Sequence, residues 1–186
     1  MLPRASEDPQ SRGTSAVENK GDTGEQGDSS YRPLFDLGAI DLNARISDRT
    51  RLEQYIPHRG IMSLVDYIVW EHPSRLQGVA IKHIRPDEFW VPGHFPSQAV
   101  FPGVLMLETA AQFAAYLFKS RISPGPSLVV FLRIEDVSFR NMVKPGDDLY
   151  FLCDEIKVGR RRFTTKTQGL VGDRIAFEGV LTGMTK

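Results

Sequence analysis

The feature that most constrains this chain is one long apolar stretch, residues 104–120, with the sequence VLMLETAAQFAAYLFKS. Apolar residues occur on nearly every face of the helix that this stretch predicts, so we expect the helix to be buried inside a domain. Its most apolar part, residues 104–118, is shorter than the ~20 residues that a membrane-spanning helix needs. It also contains Glu108 and Gln112. The stretch therefore predicts the central helix of a globular protein and no membrane span.

Strand-like runs precede and follow this helix. Residues 63–71 and 75–84 come before it, and the second run alternates polar and apolar residues as a half-buried strand does. Four further runs follow the helix, at residues 128–139, 148–158, 161–171 and 174–184. Turn residues at Gly159 and Gly172 predict that these last four strands meander in antiparallel order.

This order of elements predicts an α+β fold. A single helix that is apolar all round is best buried by an antiparallel sheet of about six strands that curls around it. That arrangement is the hotdog fold, and we predict it for this chain.

The first 33 residues differ in composition from the rest. They are rich in Gly, Ser, Asp, Glu and Arg and offer almost nothing to bury. Such a segment does not offset the entropy lost on ordering, so we predict a disordered tail at residues 1–33 and one domain at residues 34–186. The start of the chain resembles neither a secretory signal nor a mitochondrial transit peptide, and we expect a cytoplasmic protein.

Charge and cysteine content narrow the function classes. The chain has 23 basic and 23 acidic residues, which gives no reason to expect nucleic acid as a partner. The single cysteine, Cys153, excludes an internal disulfide, and we predict that it packs as a small apolar residue in a strand. No His, Asp or Glu pair has metal-ligand spacing, so we expect no metal and no cofactor.

Glu108 is the most informative polar residue of the predicted helix. A carboxylate is costly in apolar surroundings, and desolvation predicts a raised pKa that would make Glu108 a proton donor near neutral pH. Gln112 lies four residues further on, on the same helical face, where it can hydrogen-bond to Glu108.

The residues before the helix suggest the other half of an acid–base site. Pro102 suits a helix start, and Gly103 would let a ligand approach the free N–H groups there. These donors suit a carbonyl oxygen that gains negative charge. His94, on the preceding loop, is the natural general base.

Residues 93–112, GHFPSQAVFPGVLMLETAAQ, resemble the FabZ-type 3-hydroxyacyl-acyl-carrier-protein dehydratases, whose pattern reads roughly GHFPGxPVMPGVLxxEAxAQ. The separation of His94 and Glu108 matches that pattern without a gap. Two further stretches extend the resemblance. IPHRGIMSLVDYI, at residues 56–68, is similar to the family's LPHRxPFLLVDRI, and FLRIEDVSFRNMVKPGDDL, at residues 131–149, is similar to its strand and FRxPVxPGDxL turn.

The resemblance implies dehydration of a (3R)-hydroxyacyl thioester, carried on acyl carrier protein, to a trans-2-enoyl thioester in fatty acid biosynthesis. His94 would take the α-proton, the Gly103 N–H would stabilise the enolate-like oxygen, and Glu108 would protonate the departing hydroxyl. Phe101, Val104, Gly103 and Gln112 are the candidate substrate-binding residues. The resemblance also implies a homodimer or a higher assembly of dimers in which His94 and Glu108 come from opposite chains.

Three residues depart from the family pattern. Ser97 replaces Gly, where a positive φ would strain the loop, and Ala99 replaces Pro. Phe101 replaces Met and would narrow the acyl tunnel. Three alternatives stay open: a dehydratase of a polyketide-like pathway, a hotdog thioesterase, and a non-catalytic acyl-binding or assembly subunit. The spacing of His94 and Glu108 speaks against the thioesterase, and Ser97, Phe101 and the long tail are the only support for the non-catalytic subunit.

The remaining candidates fit structural roles better than catalytic ones. His58 matches a family position but is predicted to be structural, His72 to be exposed in a turn, and His83 to lie in a strand. The basic residues 160–162 suit either a docking surface for acidic acyl carrier protein or a solvated hairpin turn.

Overall fold

A computed structural model describes residues 32–122, 125 and 127–186. The predicted tail, residues 1–33, lies outside the described residues except for its last two positions, and its disorder stays a prediction. No helix of the described chain has the length and apolarity that crossing a membrane requires.

The described chain contains one long helix, two short helical segments and seven strands. In chain order they are β1 (Ser47–Asp48), α1 (Arg49–Leu52), a 3-10 turn (Gly60–Met62), β2 (Tyr67–Glu71), β3 (Gln77–His83), α2 (Gly103–Ile122), β4 (Val129–Phe139), β5 (Asp148–Val158), β6 (Arg162–Val171) and β7 (Arg174–Thr185). The α1 helix begins after Asp48, whose carboxylate accepts a hydrogen bond from the Arg51 N–H at 3.2 Å. This cap satisfies one of the free N–H groups at the helix start.

All seven strands form one antiparallel sheet in the order β1-β2-β3-β5-β6-β7-β4. The predicted strands are confirmed, with β5 at the predicted residues. The predicted meander is right for β5, β6 and β7 but wrong for β4. That strand pairs with β7 rather than with β5, because β5 has β6 on one edge and β3 on the other.

The long helix α2 packs across the concave face of this sheet, which confirms the predicted hotdog fold. Its apolar side chains are fully buried along most of its length, with Phe113, Leu117 and Phe118 at 0% exposure. The sheet contributes Ala80, Phe151 and other residues to the same cluster. Burial of this much apolar surface is the main favourable contribution to folding.

The segment at the start of the predicted domain covers the opposite face of the sheet. Leu34, Phe35 and Ile40 pack against a second apolar cluster that includes Val79 and Leu152. These two strand residues alternate with residues that face α2, so they point away from the helix. The first residues of the domain therefore protect the outer face of the sheet from water.

One tight contact between the helix and the sheet lies at Gly78 in β3. A Cβ atom at this position would lie 2.8 Å from Phe113 Cζ, 3.0 Å from Leu117 Cδ2 and 3.2 Å from the Trp70 carbonyl oxygen. The absence of a side chain at Gly78 thus allows α2 to pack directly on β3.

We predict that Gly78→Ala lowers the free energy of unfolding by about 1–3 kcal/mol, because the added methyl group overpacks the contact between helix and sheet. Chemical denaturation measures this loss. Gly93→Ala is the matched control, since a Cβ there meets nothing within 4 Å. Equal stability of the two variants would contradict the described packing.

Candidate active site

His94 lies on a loop whose backbone hydrogen bonds hold it at both ends. The His94 N–H donates to the Trp90 carbonyl at 2.9 Å, and the Val100 N–H donates to the His94 carbonyl at 3.0 Å. Further on, the Phe101 N–H donates to the Val143 carbonyl at 2.7 Å and attaches the loop to the segment after β4. His94 is therefore held in a defined position beside the start of α2.

The His94 ring is fixed in one tautomer. Its Nδ1 lies 2.8 Å from the Val100 carbonyl oxygen. A carbonyl only accepts, so Nδ1 carries the hydrogen and Nε2 of the neutral ring has a free lone pair. The ring of Phe95 stacks on the imidazole with centroids 4.1 Å apart.

His94 opens onto a cavity of about 430 Å³ at the N-terminus of α2. Of the predicted site residues, Phe101, Gly103 and Val104 also line it. Within the described residues, the N–H groups of Gly103 and Val104 have no hydrogen-bond acceptor, since the first backbone bonds of the helix start at Leu105. An imidazole with a free nitrogen and two residues with free N–H groups thus line the same apolar cavity.

Phe101 forms part of the cavity wall. It is 1% exposed, and its ring meets that of Trp90 edge-on with centroids 5.4 Å apart. The expectation of strain at Ser97 is wrong. Among described non-glycine residues only Arg75 and Asp136 have positive φ, so the loop accepts a serine without cost.

Glu108 lies further along α2 and belongs to a different polar cluster. Its Oε1 accepts a hydrogen bond from Gln112 Nε2 at 2.9 Å, which confirms the predicted contact. The same oxygen is 3.3 Å from His58 Nε2. His58, predicted to be structural, therefore contacts the candidate acid directly, and only its match to a family position could have indicated this.

Gln112 links the helix to the segment that carries His58. Its amide group donates to the Met62 carbonyl at 2.8 Å, and its Oε1 accepts from the Leu64 N–H at 3.0 Å. Together with the bond to Glu108, these contacts fix the orientation of the amide, with its NH₂ group toward the carboxylate. Gln112 thus contacts Glu108 and, contrary to its prediction as a substrate-binding residue, is not among the residues that line the His94 cavity.

The pKa expected for Glu108 is wrong in direction. Burial does raise the pKa of this carboxyl, as predicted. The hydrogen bonds from His58 and Gln112, together with the charge of His58, outweigh burial and leave the pKa below its ordinary value. In the isolated chain Glu108 is therefore a carboxylate at neutral pH.

The described chain does not bring His94 and Glu108 into contact. The side chain of His94 bonds to Val100, whereas that of Glu108 bonds to His58 and Gln112. Large apolar side chains are exposed around both groups, namely Ile61, Phe95, Val104, Phe139 and Met142, each more than half exposed. Such a concentration of exposed apolar side chains is typical of a surface that another molecule covers.

The other polar candidates are structural in the described chain. The thiol of Cys153 is buried beside the Ala110 carbonyl, and burial raises its pKa to about 12, so it is no nucleophile. His72 bonds to Ser74, and His83 to Asp148. No group of three His, Cys, Asp or Glu side chains in the described ranges is placed to hold a metal ion.

Comparison with known sequences identifies relatives of this chain. A 3-hydroxyacyl-acyl-carrier-protein dehydratase FabZ from Janthinobacterium sp. (strain Marseille) is 36% identical over 138 residues, which are 72% of this chain and 87% of the relative. The FabZ of Rickettsia africae (strain ESF-5) is 35% identical over 144 residues, 76% of this chain and 97% of the relative.

Solved structures share the fold at lower identity. The dehydratase heterocomplex ApeI:P from Xenorhabdus doucetiae gives a TM-score of 0.63 at 16% identity, covering 73% of this chain and 90% of that one. A sigma28-regulated virulence protein from Campylobacter jejuni gives a TM-score of 0.56 at 18% identity, and the match covers 77% of this chain and 93% of that one. The sequence profile of FabA-like domains matches residues 56–179, which include the His94 loop, Glu108 and His58. The chain therefore belongs to the FabA-like family.

Proposed function

We propose that this chain dehydrates (3R)-hydroxyacyl-acyl-carrier-protein to trans-2-enoyl-acyl-carrier-protein in fatty acid biosynthesis, with His94 as the base and Glu108 as the acid. The observation that carries the proposal is the fixed tautomer of His94, which leaves a free Nε2 lone pair on a residue that lines an apolar cavity beside free N–H groups. The FabZ relatives favour dehydration over the thioesterase and non-catalytic alternatives.

His94 begins the reaction in this proposal. Its Nε2 takes a proton from C2 of the thioester, and negative charge develops on the thioester oxygen. The N–H of Gly103, at the positive end of the α2 dipole, lies at the cavity where it donates to that oxygen. Both groups are in place before the substrate binds, so little reorganisation opposes the proton transfer.

Glu108 completes the elimination. It gives a proton to the 3-hydroxyl as the C3–O bond breaks, and water and the trans-2-enoyl thioester leave. Its Oε1 accepts from Gln112 and lies 3.3 Å from His58 Nε2, while within the described residues Oε2 accepts no hydrogen bond. That free oxygen suits contact with the hydroxyl group.

We further propose that the site is completed by a second copy of the chain. Two observations support this. His94 and Glu108 do not meet within one chain, and the apolar side chains beside them are exposed. In addition, β4 is an edge strand whose one partner in the described part of the chain is β7, and its Leu132 and Ile134 are 47% and 52% exposed. A free apolar edge strand is suited to antiparallel pairing with its own copy.

The proposed carrier of the substrate is acyl carrier protein, as in the names of the FabZ relatives. The Phe101 wall of the cavity suits an acyl chain, because it is apolar and fully desolvated. The expected cytoplasmic location stays a prediction.

We predict that His94→Ala and Glu108→Gln each lower kcat for dehydration of a 3-hydroxyacyl thioester by about 10²–10⁴-fold, the usual contribution of a positioned acid or base. Enoyl formation, followed spectroscopically, measures the rate. His72→Gln is the matched control, because His72 contacts only residues near its own exposed turn. Variants at 94 and 108 that kept the wild-type rate would overturn the proposal.

We predict that the double substitution Leu132→Lys, Ile134→Lys weakens self-association by at least about tenfold, because it places charges on the edge proposed to pair. Sedimentation at several concentrations measures dissociation, and the dehydration rate should fall with the dimer fraction. Ile156→Lys, at a side chain 44% exposed on the interior strand β5, is the control. A double variant that sediments like the wild type would exclude this interface.

A further inference from the structure

The described chain begins at an anchor on the outer face of the sheet. The Leu34 N–H donates to Gln168 Oε1 at 2.9 Å, and Gln168 Nε2 donates to the Arg32 carbonyl at 3.2 Å. From this anchor on β6 the chain runs toward β2, where Phe35 packs on Trp70 with ring centroids 5.7 Å apart. The residues before Arg32 therefore join the domain at β6, beside the outer face of β7 and β4.

A groove follows the outer face of β6, β7 and β4 from this anchor. Its first part is a cavity of about 360 Å³, which Arg32 lines together with Lys166 of β6 and Val180 of β7. Its second part is a cavity of about 480 Å³, lined by Thr164 of β6 and Thr182 of β7. Lys166 pairs with Val180 and Thr164 with Thr182, so the two cavities lie end to end on one face of the sheet.

Four basic side chains along these strands give the groove a positive charge. Lys166 lines the first cavity, and Arg133, Lys157 and Arg162 line the second. We call the surface formed by these four residues the basic groove. The hairpin between β5 and β6 adds two further exposed arginines beside its second cavity, Arg160 and Arg161.

The acidic residues of the two cavities do not balance these charges. Glu135 is paired with Arg133 at 3.2 Å, and Glu178 is paired with Arg140, which lines the His94 cavity. Asp136 is the third carboxylate, at the first cavity. Three basic residues of the groove form no ion pair among the described residues, namely Lys157, Arg162 and Lys166.

The chain immediately before the described residues has the opposite charge. Residues 21–31, GDTGEQGDSSY, contain Asp22, Glu25 and Asp28 and no Lys or Arg. Eleven extended residues span at most about 36 Å. Arg162 lies six residues along β6 from Gln168, which is about 20 Å. The segment is therefore long enough to follow the groove to its end.

We propose that this acidic segment, residues 21–31, binds to the basic groove of its own chain. Single ion pairs at a protein surface stabilise a contact only weakly. The segment is tethered at Arg32, however, and a short tether holds it at an effective concentration of about a millimolar. Contacts between charged side chains need no apolar burial, so a segment with almost nothing to bury can make them.

An acidic partner protein, such as the acyl carrier protein of the proposed reaction, is the rival occupant. The position of the groove favours the tethered segment. Phe163, next to Arg162, packs on Phe118 of α2 with ring centroids 4.6 Å apart. Phe118 is fifteen residues, or about 22 Å, from Gly103 at the His94 cavity. The most basic end of the groove is thus remote from the cavity of the same chain that is proposed to take the thioester.

Zero-length carbodiimide cross-linking of the full chain tests the inference, because it joins a carboxylate to a lysine amine only where the two are in contact. Peptide mass spectrometry identifies the links. At 0.01 M salt we expect Lys166 to link to residues 21–31 at least about tenfold more often than Lys144, a lysine that is exposed away from the groove. In 1 M NaCl, where the Debye length falls to about 3 Å, this excess should disappear.

A matched pair of variants tests the charge of the groove. The double substitution Arg133→Gln, Arg162→Gln removes two charges but no group that carbodiimide couples, and we expect it to lower the Lys166 link by at least about fivefold. Arg174→Gln removes one charge at the exposed turn before β7 and should leave the link unchanged. Thermal unfolding of each variant shows whether the fold is kept.

Isotopically heavy and light chains, refolded together, distinguish binding within a chain from binding between copies. We expect each link to join peptides of the same isotope. Equal linking of Lys166 and Lys144, a Lys166 link that persists unchanged in 1 M NaCl, or mixed-isotope links in statistical proportion would each overturn the inference. If added acyl carrier protein linked to Lys166 and residues 21–31 did not, the groove would belong to that partner instead. The cross-linking makes no use of turnover, so its result is independent of the proposed dehydration.

Discussion

Burial of α2 against the concave face of the sheet is the constraint on which the rest of the structure depends. Because its side chains are apolar all round, the helix is stable only where the sheet covers it, and Gly78 permits the close approach. The same burial fixes the N-terminus of α2 at the His94 cavity and places Glu108 beside the 58–64 segment. Packing and chemistry therefore depend on one element.

Polar groups enter this apolar region only where their hydrogen bonds are satisfied. Gln112 is 1% exposed, yet both ends of its amide are bound, and it connects Glu108 to the segment that contains His58. Its satisfied bonds offset the cost of burying an amide. Among the described residues Nδ1 of His58 is one exception, and Arg121 Nε and Glu155 Oε1, at the other end of α2, are two more.

Local pattern predicted much of this arrangement. The four-residue helical spacing predicted the Glu108–Gln112 contact. The alternation of polar and apolar residues, together with the turn residues, predicted the strands. Long-range contacts escaped prediction for a physical reason. The pairing of β4 with β7 and the approach of His58 to Glu108, fifty residues apart in sequence, depend on how the whole sheet closes. The direction of the Glu108 pKa shift escaped prediction for the same reason. The burial that raises this pKa could be predicted from the sequence, but the contact with His58 that helps to lower it could not.

The central claim is that each active site combines His94 of one chain with Glu108 of another, and mixing two inactive variants tests it most directly. His94→Ala and Glu108→Gln chains, refolded together in equal amounts, should form about half heterodimers with one intact site each, and regain about a quarter of the wild-type rate. If the mixture stayed inactive although sedimentation showed heterodimers, the two residues would not act across the interface.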